Sequence, residues 1–402
     1  MQAIQASLNP TIHNQGPIRG RLASMDIFRG LIMIVMALDH VRDFFHRDAF
    51  AYDPLDLDKT SSILYFTRWI THFCAPNFVF LAGIGAFLYG EKMGLVNLRK
   101  FLWTRGLWLV IMEILIISIG WTFDPLYHRI PFQVIYTIGI SMMILGLLSY
   151  LKPVYIFTIS LIILILHNIY DFFPINGHEE KAGFFWDLIL YKHPQFYEYL
   201  PGHNIFMLYS FLSFAGIMAL GYCIGPLFSK NYDKDHRKSN LIFIGIGMLS
   251  LFVVLRLINL YGDPIPWSMQ KTTWFSFLSF IKINKYPPSL DYVLVTVGIG
   301  LLLLAWVNEA KGRVANFLSV FGRVPFFYYI LHLFLIHSLS VVFFILHGDK
   351  PRVLLDHSAP PAGFNLLTVY LVWILVIALL YPVCYWYDSY KKTHSQWWLK
   401  YL

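Results

Sequence analysis

The chain has 402 residues, 57% of them apolar and 18% aromatic but only 13% charged, whereas an ordinary soluble domain runs at roughly 25% charged and 45–50% apolar. Its 31 basic and 23 acidic residues are too few to coat the domains a soluble fold of this length would need, and the same numbers exclude disorder, collagen and coiled coil. The formal charge of +8 is no nucleic-acid signal, because the basic residues sit at the ends of apolar runs, where they set membrane topology.

Apolar runs of about 20 residues, the length that crosses a ~30 Å hydrocarbon slab as a helix, recur along nearly the whole chain. This predicts an all-α polytopic membrane protein of about ten transmembrane helices. Residues 1–23 are polar and read as an N-terminal tail without a cleavable signal peptide. The first span covers 26–45, with Ser24 as a candidate N-cap and Asp26 in the first turn, where the helix dipole favours an acid. The others follow at 66–89, 101–121, 132–151, 154–173, 204–228, 241–261, 290–308, 324–346 and 366–387. Segment 268–285 mixes aromatics with lysines and is expected along the outer interface. No internal repeat or linker divides the chain, so 24–390 reads as one transmembrane domain and 391–402 as a C-terminal tail.

Ten spans put both termini on one side. That side takes more than half of the basic residues, from Arg19 and Arg21 through Arg99, Lys100, Arg105, Lys152, Lys234, Arg237, Lys311 and Arg323 to Lys391 and Lys392, and few acids. The positive-inside rule then predicts cytoplasmic termini for a multi-pass protein of the cell (inner) membrane. Cys74, Cys223 and Cys384 each lie inside an apolar segment and suggest neither a disulfide framework nor a metal site.

Ionisable groups inside a bilayer are costly and mark function by default. The first span ends Asp39-His40-Val41-Arg42-Asp43, with His46 beyond it; the second opens with Arg68 and His72 on one helical face. The fifth closes with His167, Asn168 and Asp171, the sixth begins His203-Asn204, and the seventh closes with Arg256, Asn259 and Asp263. The loop before the eighth reads Lys285-Tyr286-Pro287-Pro288-Ser289, and the ninth carries His332 and His337. Nearly all fall at the outer level of the predicted topology. Plainer readings exist: Asp171 and Asp263 as solvated rim residues, Arg256 as a packing tether, His167, His332 and His337 as interhelical hydrogen bonders. Four ionisable residues in five positions of a spanning helix are harder to explain by packing alone. The chain has 15 histidines but no His-x-x-x-His pair, so no metal site is predicted. At the inner end, Arg99, Lys100 and Arg105 with Trp103 and Trp108 read either as a positive-inside anchor or as a patch for a phosphorylated donor.

Several stretches resemble a known family. Ser24-Met25-Asp26-Ile27-Phe28-Arg29-Gly30 is similar to the S-x-D-x-x-R-G opening of the heparan-α-glucosaminide N-acetyltransferase catalytic-domain family, and Pro76 to Gly83 to its P-x-F-V-F-x-x-G core. Phe66 to Phe73, His167-Asn168 with Asp171, Asn259 to Trp267, Lys285 to Leu290, Phe321 to Phe327 and Trp397-Trp398 look like its bacterial branch. More distantly, the opening resembles bacterial membrane O-acyltransferases, which carry a catalytic His eleven residues after the motif's Arg, the spacing of Arg29 to His40. His46 is the nearest match to the catalytic His of the family's animal enzyme.

The resemblance implies an integral-membrane acyltransferase moving an acyl group, acetyl by this reading, from cytoplasmic acyl-CoA to a hydroxyl or amine of a glycan or glycolipid on the outer side. Acetyl-CoA (or another acyl-CoA) is the donor substrate, expected at Arg29, Arg99 and Arg105. His40 is the expected base, with His46 as the alternative, Asp43 or Asp39 holding its tautomer, and Arg68 or His72 meeting the oxyanion. His167, Asn168, Asp171, Arg256, Asn259 and Tyr286 are expected to bind the acceptor. The predicted partners are the lipid bilayer and the two substrates, with association as a homodimer left open. The alternative is a proton-coupled transporter or permease using the same outer polar cluster, although the paired interrupted helices and internal repeat of such folds are not found.

Overall fold

The computed structural model of the chain describes residues 23–173, 183–350 and 363–400. The expected N-terminal tail, with Arg19 and Arg21, lies outside the described residues apart from Ala23. Residues 174–182 and 351–362 also lie outside them.

Every expected apolar run contains a helix. α1 spans Ala23–Phe45. α2 (Ser62–Thr71) and α3 (Cys74–Met93) share the second run and meet at His72-Phe73. α4 (Leu95–Met112) passes through a π-helical turn, Glu113–Ile117, into α5 (Ser118–Thr122). α6 (Val134–Leu148) and α7 (Pro153–Leu166) follow, α7 running on into a 3-10 turn over His167–Phe172. After the short α8 (Phe184–Ile189) come α9 (Leu212–Ile224) and α10 (Lys234–Ile258). α11 (Thr273–Ile281) precedes α12 (Leu290–Trp306), α13 (Arg313–Arg323), α14 (Pro325–His347) and α15 (Leu366–Thr393).

Seven of these helical stretches are long and apolar enough to cross a membrane: Ser62–Met93, Leu95–Thr122, Pro153–Phe172, Lys234–Ile258, Leu290–Glu309, Pro325–His347 and Leu366–Thr393. α6 and α9 are apolar but shorter. α1 is long enough at 23 residues but carries Asp26, Arg29, Asp39, Arg42 and Asp43. The chain is an all-α polytopic membrane protein.

Two of the expected spans begin differently from the sequence reading. The runs at 132–151 and 204–228 open as strands, because hydropathy alone does not separate a short apolar strand from a helix. β1 (Arg129–Phe132) pairs in parallel with β3 (His203–Met207), and β3 pairs antiparallel with β2 (Gln195–Leu200). Pro131 is tolerated because β1 lies at the sheet edge. Gly202, at φ +76, supplies the left-handed residue that turns β2 into β3.

Close helix contacts rest on glycine, as in membrane bundles whose backbones approach through small residues. A Cβ on Gly30 of α1 would collide with the Leu318 carbonyl of α13, and one on Gly322 with the Asp26 carbonyl. Gly83 of α3 and Gly221 of α9 meet in the same way. α13 is thereby clamped across the start of α1, where Arg29 also donates to the Gly322 carbonyl (3.1 Å). The other end of the bundle, where α1 finishes, is its upper end.

Candidate functional site

A cavity of about 350 Å³ opens at the upper end. α1 contributes Met36, Asp39, His40, Arg42 and Asp43, and the break between α2 and α3 contributes Arg68, Thr71, His72, Cys74, Ala75 and Phe78. Trp121, Phe206, Leu208 and Tyr209 form further wall, and residues 49–50, 52–55 and 282–286 complete it.

His40 is one turn from the end of α1 and buried, with its ring against α14. Its Nδ1 lies 2.7 Å from His332 Nε2, and His332 Nδ1 lies 3.0 Å from the Tyr328 carbonyl. The carbonyl can only accept, so His332 carries its proton on Nδ1 and offers a lone pair at Nε2. His40 must then donate from Nδ1, and in a neutral ring its Nε2 is left with a lone pair. No protein group among the described residues hydrogen-bonds to that nitrogen. Trp121 stands edge-on to the His40 ring (4.8 Å, 73°), and the His332 ring lies nearly coplanar with it (17°), edge to edge across the hydrogen bond, so the imidazole is held by rings.

This corrects the expectation that Asp43 or Asp39 holds the His40 tautomer: His332 occupies Nδ1. Asp39 is spent elsewhere. Arg68 Nη1 reaches both its oxygens (2.8 and 2.7 Å), Arg42 Nη2 lies 2.9 Å from Oδ1, and Lys285 Nζ 3.5 Å from Oδ2. The same Arg42 nitrogen also contacts Asp43 Oδ1 at 2.5 Å. The i, i+3 and i, i+4 spacing of Asp39, Arg42 and Asp43 puts all three on one face of α1, where both acids are taken up by Arg42.

The loop between α10 and α12 delivers Lys285 and Tyr286, and a polar scaffold holds it. Arg256 donates to the carbonyls of Phe280 (2.9 Å), Ser279 (2.9 Å), Lys282 (2.8 Å) and Ile265 (3.2 Å), gathering the orphan carbonyls at the end of α11. Asn259, in the left-handed conformation that ends α10, pairs with the Trp267 backbone in both directions (2.9 and 3.0 Å). Asn168 accepts from Leu290 N–H at 2.8 Å, capping α12, and donates to Asp171 at 2.7 Å. Both His167 ring nitrogens face backbone carbonyls, Nε2 meeting Pro288 at 2.7 Å. Asp263 accepts from Asn284 N–H and the Ser289 hydroxyl, both at 2.8 Å, and burial pushes its carboxyl above the usual range. Burial would raise the Tyr286 hydroxyl too, but Lys285 and Arg68 beside it outweigh that effect and hold it below the usual phenol value.

Of the residues expected to bind the acceptor, Tyr286 lines the cavity. His167, Asn168, Asp171, Arg256 and Asn259 stand behind the loop, and all of them but His167 line a smaller cavity of about 110 Å³. Asp39, His40, Asp43, Arg68 and His72 all reach the main cavity. His46 does not; its Nδ1 accepts the Asp48 N–H at 3.3 Å. Arg29, Arg99 and Arg105 lie at the lower end, outside that lining. Arg99 bonds to Ser149 Oγ (3.2 Å) and its carbonyl (3.0 Å) and stacks on Tyr150 (3.7 Å), while Arg105 lies 5.6 Å from the Phe326 ring centre.

Sequence reasoning placed His332 and Lys285 among the polar groups of this level, reading His332 as an interhelical hydrogen bonder and giving Lys285 no role. It missed Trp121 and Glu113. Glu113 is buried in the π turn and accepts the N–H groups of Gln133 and Tyr136 (both 3.1 Å), capping α6 beside the cavity. A lone acid in an apolar run was the available signal. Among the described residues no group of three or more His, Cys, Asp or Glu side chains could hold a metal ion.

The family model described as heparan-alpha-glucosaminide N-acetyltransferase, catalytic, matches residues 21–254, more than half of the chain and inclusive of α1 to α9. No curated protein matches the chain.

Proposed function

The chain belongs to the heparan-alpha-glucosaminide N-acetyltransferase catalytic family, a membrane acyltransferase-like family, and from that premise we propose that it moves an acetyl group from cytoplasmic acetyl-CoA to a hydroxyl or amine of a glycan or glycolipid on the outer side. In this reading the upper end of the bundle faces outward and both termini are cytoplasmic. His40 Nε2 removes the proton from the acceptor hydroxyl or amine as that atom attacks the thioester carbonyl. The C–S bond then breaks, and the departing thiolate receives the proton from Nε2, so His40 is regenerated and no net charge is left on the protein. An acceptor with a pKa far above 7 needs such a base, and a neutral imidazole suits it.

His332 is the positioning residue, keeping the lone pair of His40 at Nε2 as a carboxylate does in hydrolase triads. His72 lines the cavity, and it is our choice as donor to the tetrahedral oxyanion, since Arg68 Nη1 already holds Asp39. Arg29, Arg99 and Arg105 at the lower end are the expected anchors for the phosphates of the donor. The observation that carries the reading is the His40–His332–Tyr328 carbonyl chain, ending in a lone pair beside a cavity.

Membranes containing His40→Ala and His46→Ala are to be assayed with labelled acetyl-CoA. Removing the base should lower transfer ~10²–10⁴-fold in His40→Ala, while His46→Ala should retain activity. Wild-type transfer in His40→Ala would overturn the assignment.

A further inference from the structure

Tyr209 and Tyr286 are two phenols of the main cavity's lining, and a third, Tyr52, is bonded to Asp48 at 3.3 Å. Tyr209 follows β3 and is buried, its carbonyl accepting from the Tyr136 hydroxyl of α6. Tyr286 stands in the loop between α11 and α12, and its ring meets that of Tyr209 edge-on (5.1 Å, 89°). The two hydroxyl oxygens are 3.4 Å apart, outside the roughly 2.5–3.0 Å of a firm O–H···O bond, so this contact does not commit the Tyr286 proton. Lys285 Nζ lies 5.1 Å and Arg68 Cζ 5.8 Å from the centre of the Tyr286 ring, and both cations are buried. Arg68 in turn holds Asp39, the neighbour of His40.

The other titratable groups around Tyr286 are Asp39 on α1, Tyr191 and Tyr209 on either side of the β2–β3 pair, Tyr292 on α12 and Tyr329 on α14. Burial and Asp39 both oppose ionisation of the Tyr286 hydroxyl, yet Lys285 and Arg68 outweigh them and hold it below the usual phenol value. A phenol that is acidic for its type is a strong hydrogen-bond donor, and the bond strengthens as negative charge grows on the acceptor atom. In acyl transfer that charge grows on the thioester carbonyl oxygen. The cavity, at about 350 Å³, is at the small end of the roughly 300–1,000 Å³ range of ligand pockets, so side chains on its different walls act on one small acyl group.

Resting on the acyltransferase reading, we propose that Tyr286 is a further catalytic residue: its hydroxyl donates to the thioester carbonyl oxygen and, beside His72, holds the oxyanion, with Lys285 and Arg68 as positioning cations behind it. The carbonyl π electrons move onto oxygen as the acceptor adds and return as the C–S bond breaks, and the phenol keeps its proton throughout. Tyr286 lies beyond residues 21–254, which the family model matches, so this donor comes from the remainder of the chain.

The test follows transfer from labelled acetyl-CoA by full-length protein in detergent, from neutral to alkaline pH, with spontaneous thioester hydrolysis subtracted. Tyr286→Phe keeps the ring and its contact with Tyr209; it should lower kcat ~10²–10³-fold while KM for acetyl-CoA stays within about three-fold, because the lost bond belongs to the transition state. The donor acts only when protonated, so wild-type kcat should fall along an alkaline limb below the ~10 of an ordinary tyrosine. Tyr286→Phe should lack that limb. Lys285→Met removes one cation, so the phenol rises toward its usual value and the limb moves to higher pH, a shift that a residue serving only to pack the loop does not produce. Unchanged kcat in a monodisperse Tyr286→Phe protein overturns the proposal, as does a limb that stays in place in both variants. Should Tyr286→Phe fail to fold, Lys285→Met decides alone, and a limb that stays or moves down overturns the assignment. Transfer that requires His40 but not Tyr286 removes the tyrosine and leaves the acyltransferase reading, whereas a wild type without acetyl transfer removes both.

Discussion

His40 and His332 are 292 positions apart, yet one hydrogen bond between them decides which nitrogen of His40 can take a proton. Replacing His332 by Leu removes the acceptor at Nδ1, so the ring loses both its tautomer preference and a packing partner. His332→Gln keeps a carbonyl oxygen within reach of Nδ1–H. In labelled acetyl-CoA assays His332→Leu is expected to lose much of the ~10²–10⁴ that the base supplies, chiefly in kcat. His332→Gln should lose clearly less. Equal losses in the two variants would mean that His332 acts by filling space. The two histidines were visible in the sequence as costly intramembrane groups, but their contact was not, because no local spacing connects the end of α1 to the middle of α14. The Asp39-His40-Val41-Arg42-Asp43 cluster was legible for the opposite reason: four ionisable residues in one helical turn announce themselves without a partner. The cations beside them take up both acids, and His332 from across the bundle, not a nearby carboxylate, meets the ring.

At the scale of elements, apolar run length located each of the seven helical stretches that are long and apolar enough to cross among the described residues, since a bilayer leaves the backbone no other economical way to cross. The three-stranded sheet escaped because β1 and β3 are short apolar segments joined to helical runs, and their pairing is between residues 129–132 and 203–207. The clamp of α13 on α1 escaped as well, since Gly30 and Gly322 look like ordinary glycines until the helices are superimposed on each other. Gly30→Ala tests that clamp because two effects oppose. In an open helix, alanine would add stability by ~1 kcal/mol. Here the new Cβ meets the Leu318 carbonyl, and overpacking of this kind costs ~1–3 kcal/mol or more. A lowered thermal midpoint in detergent is therefore expected for Gly30→Ala. Gly247→Ala on α10, where a Cβ meets nothing, should leave the midpoint unchanged or raise it. A rise in both would show that α1 and α13 are not in close contact.

Across the whole molecule, the proposed reaction needs substrates from opposite sides of the membrane to meet at one atom. The main cavity accounts for the acceptor side. Met36 is the α1 residue of its lining nearest the lower end and Phe78 its counterpart on α3, so together they form its floor. Arg29 lies seven residues before Met36, about 10 Å along the helix. A CoA docked at the lower arginines must push a thin thioester arm through that layer to bring its carbonyl carbon to His40. The floor is then the point where donor and acceptor requirements separate. Met36→Trp fills it and is expected to reduce acetyl transfer by ~10²-fold, the scale on which a small misplacement of reacting groups is felt. Met36→Ala should leave transfer near wild type and raise the slow loss of acetyl groups to water. Inside-out vesicles sharpen the measurement, because they present the proposed cytoplasmic face to the medium. Acetyl-CoA added outside such vesicles should support transfer to an acceptor enclosed within them, and right-side-out vesicles given the donor in the medium should not. Transfer of equal rate in both orientations, or a Met36→Trp protein as active as wild type, would mean that the donor reaches His40 by way of the upper rim and that the lower arginines serve only to anchor the helices.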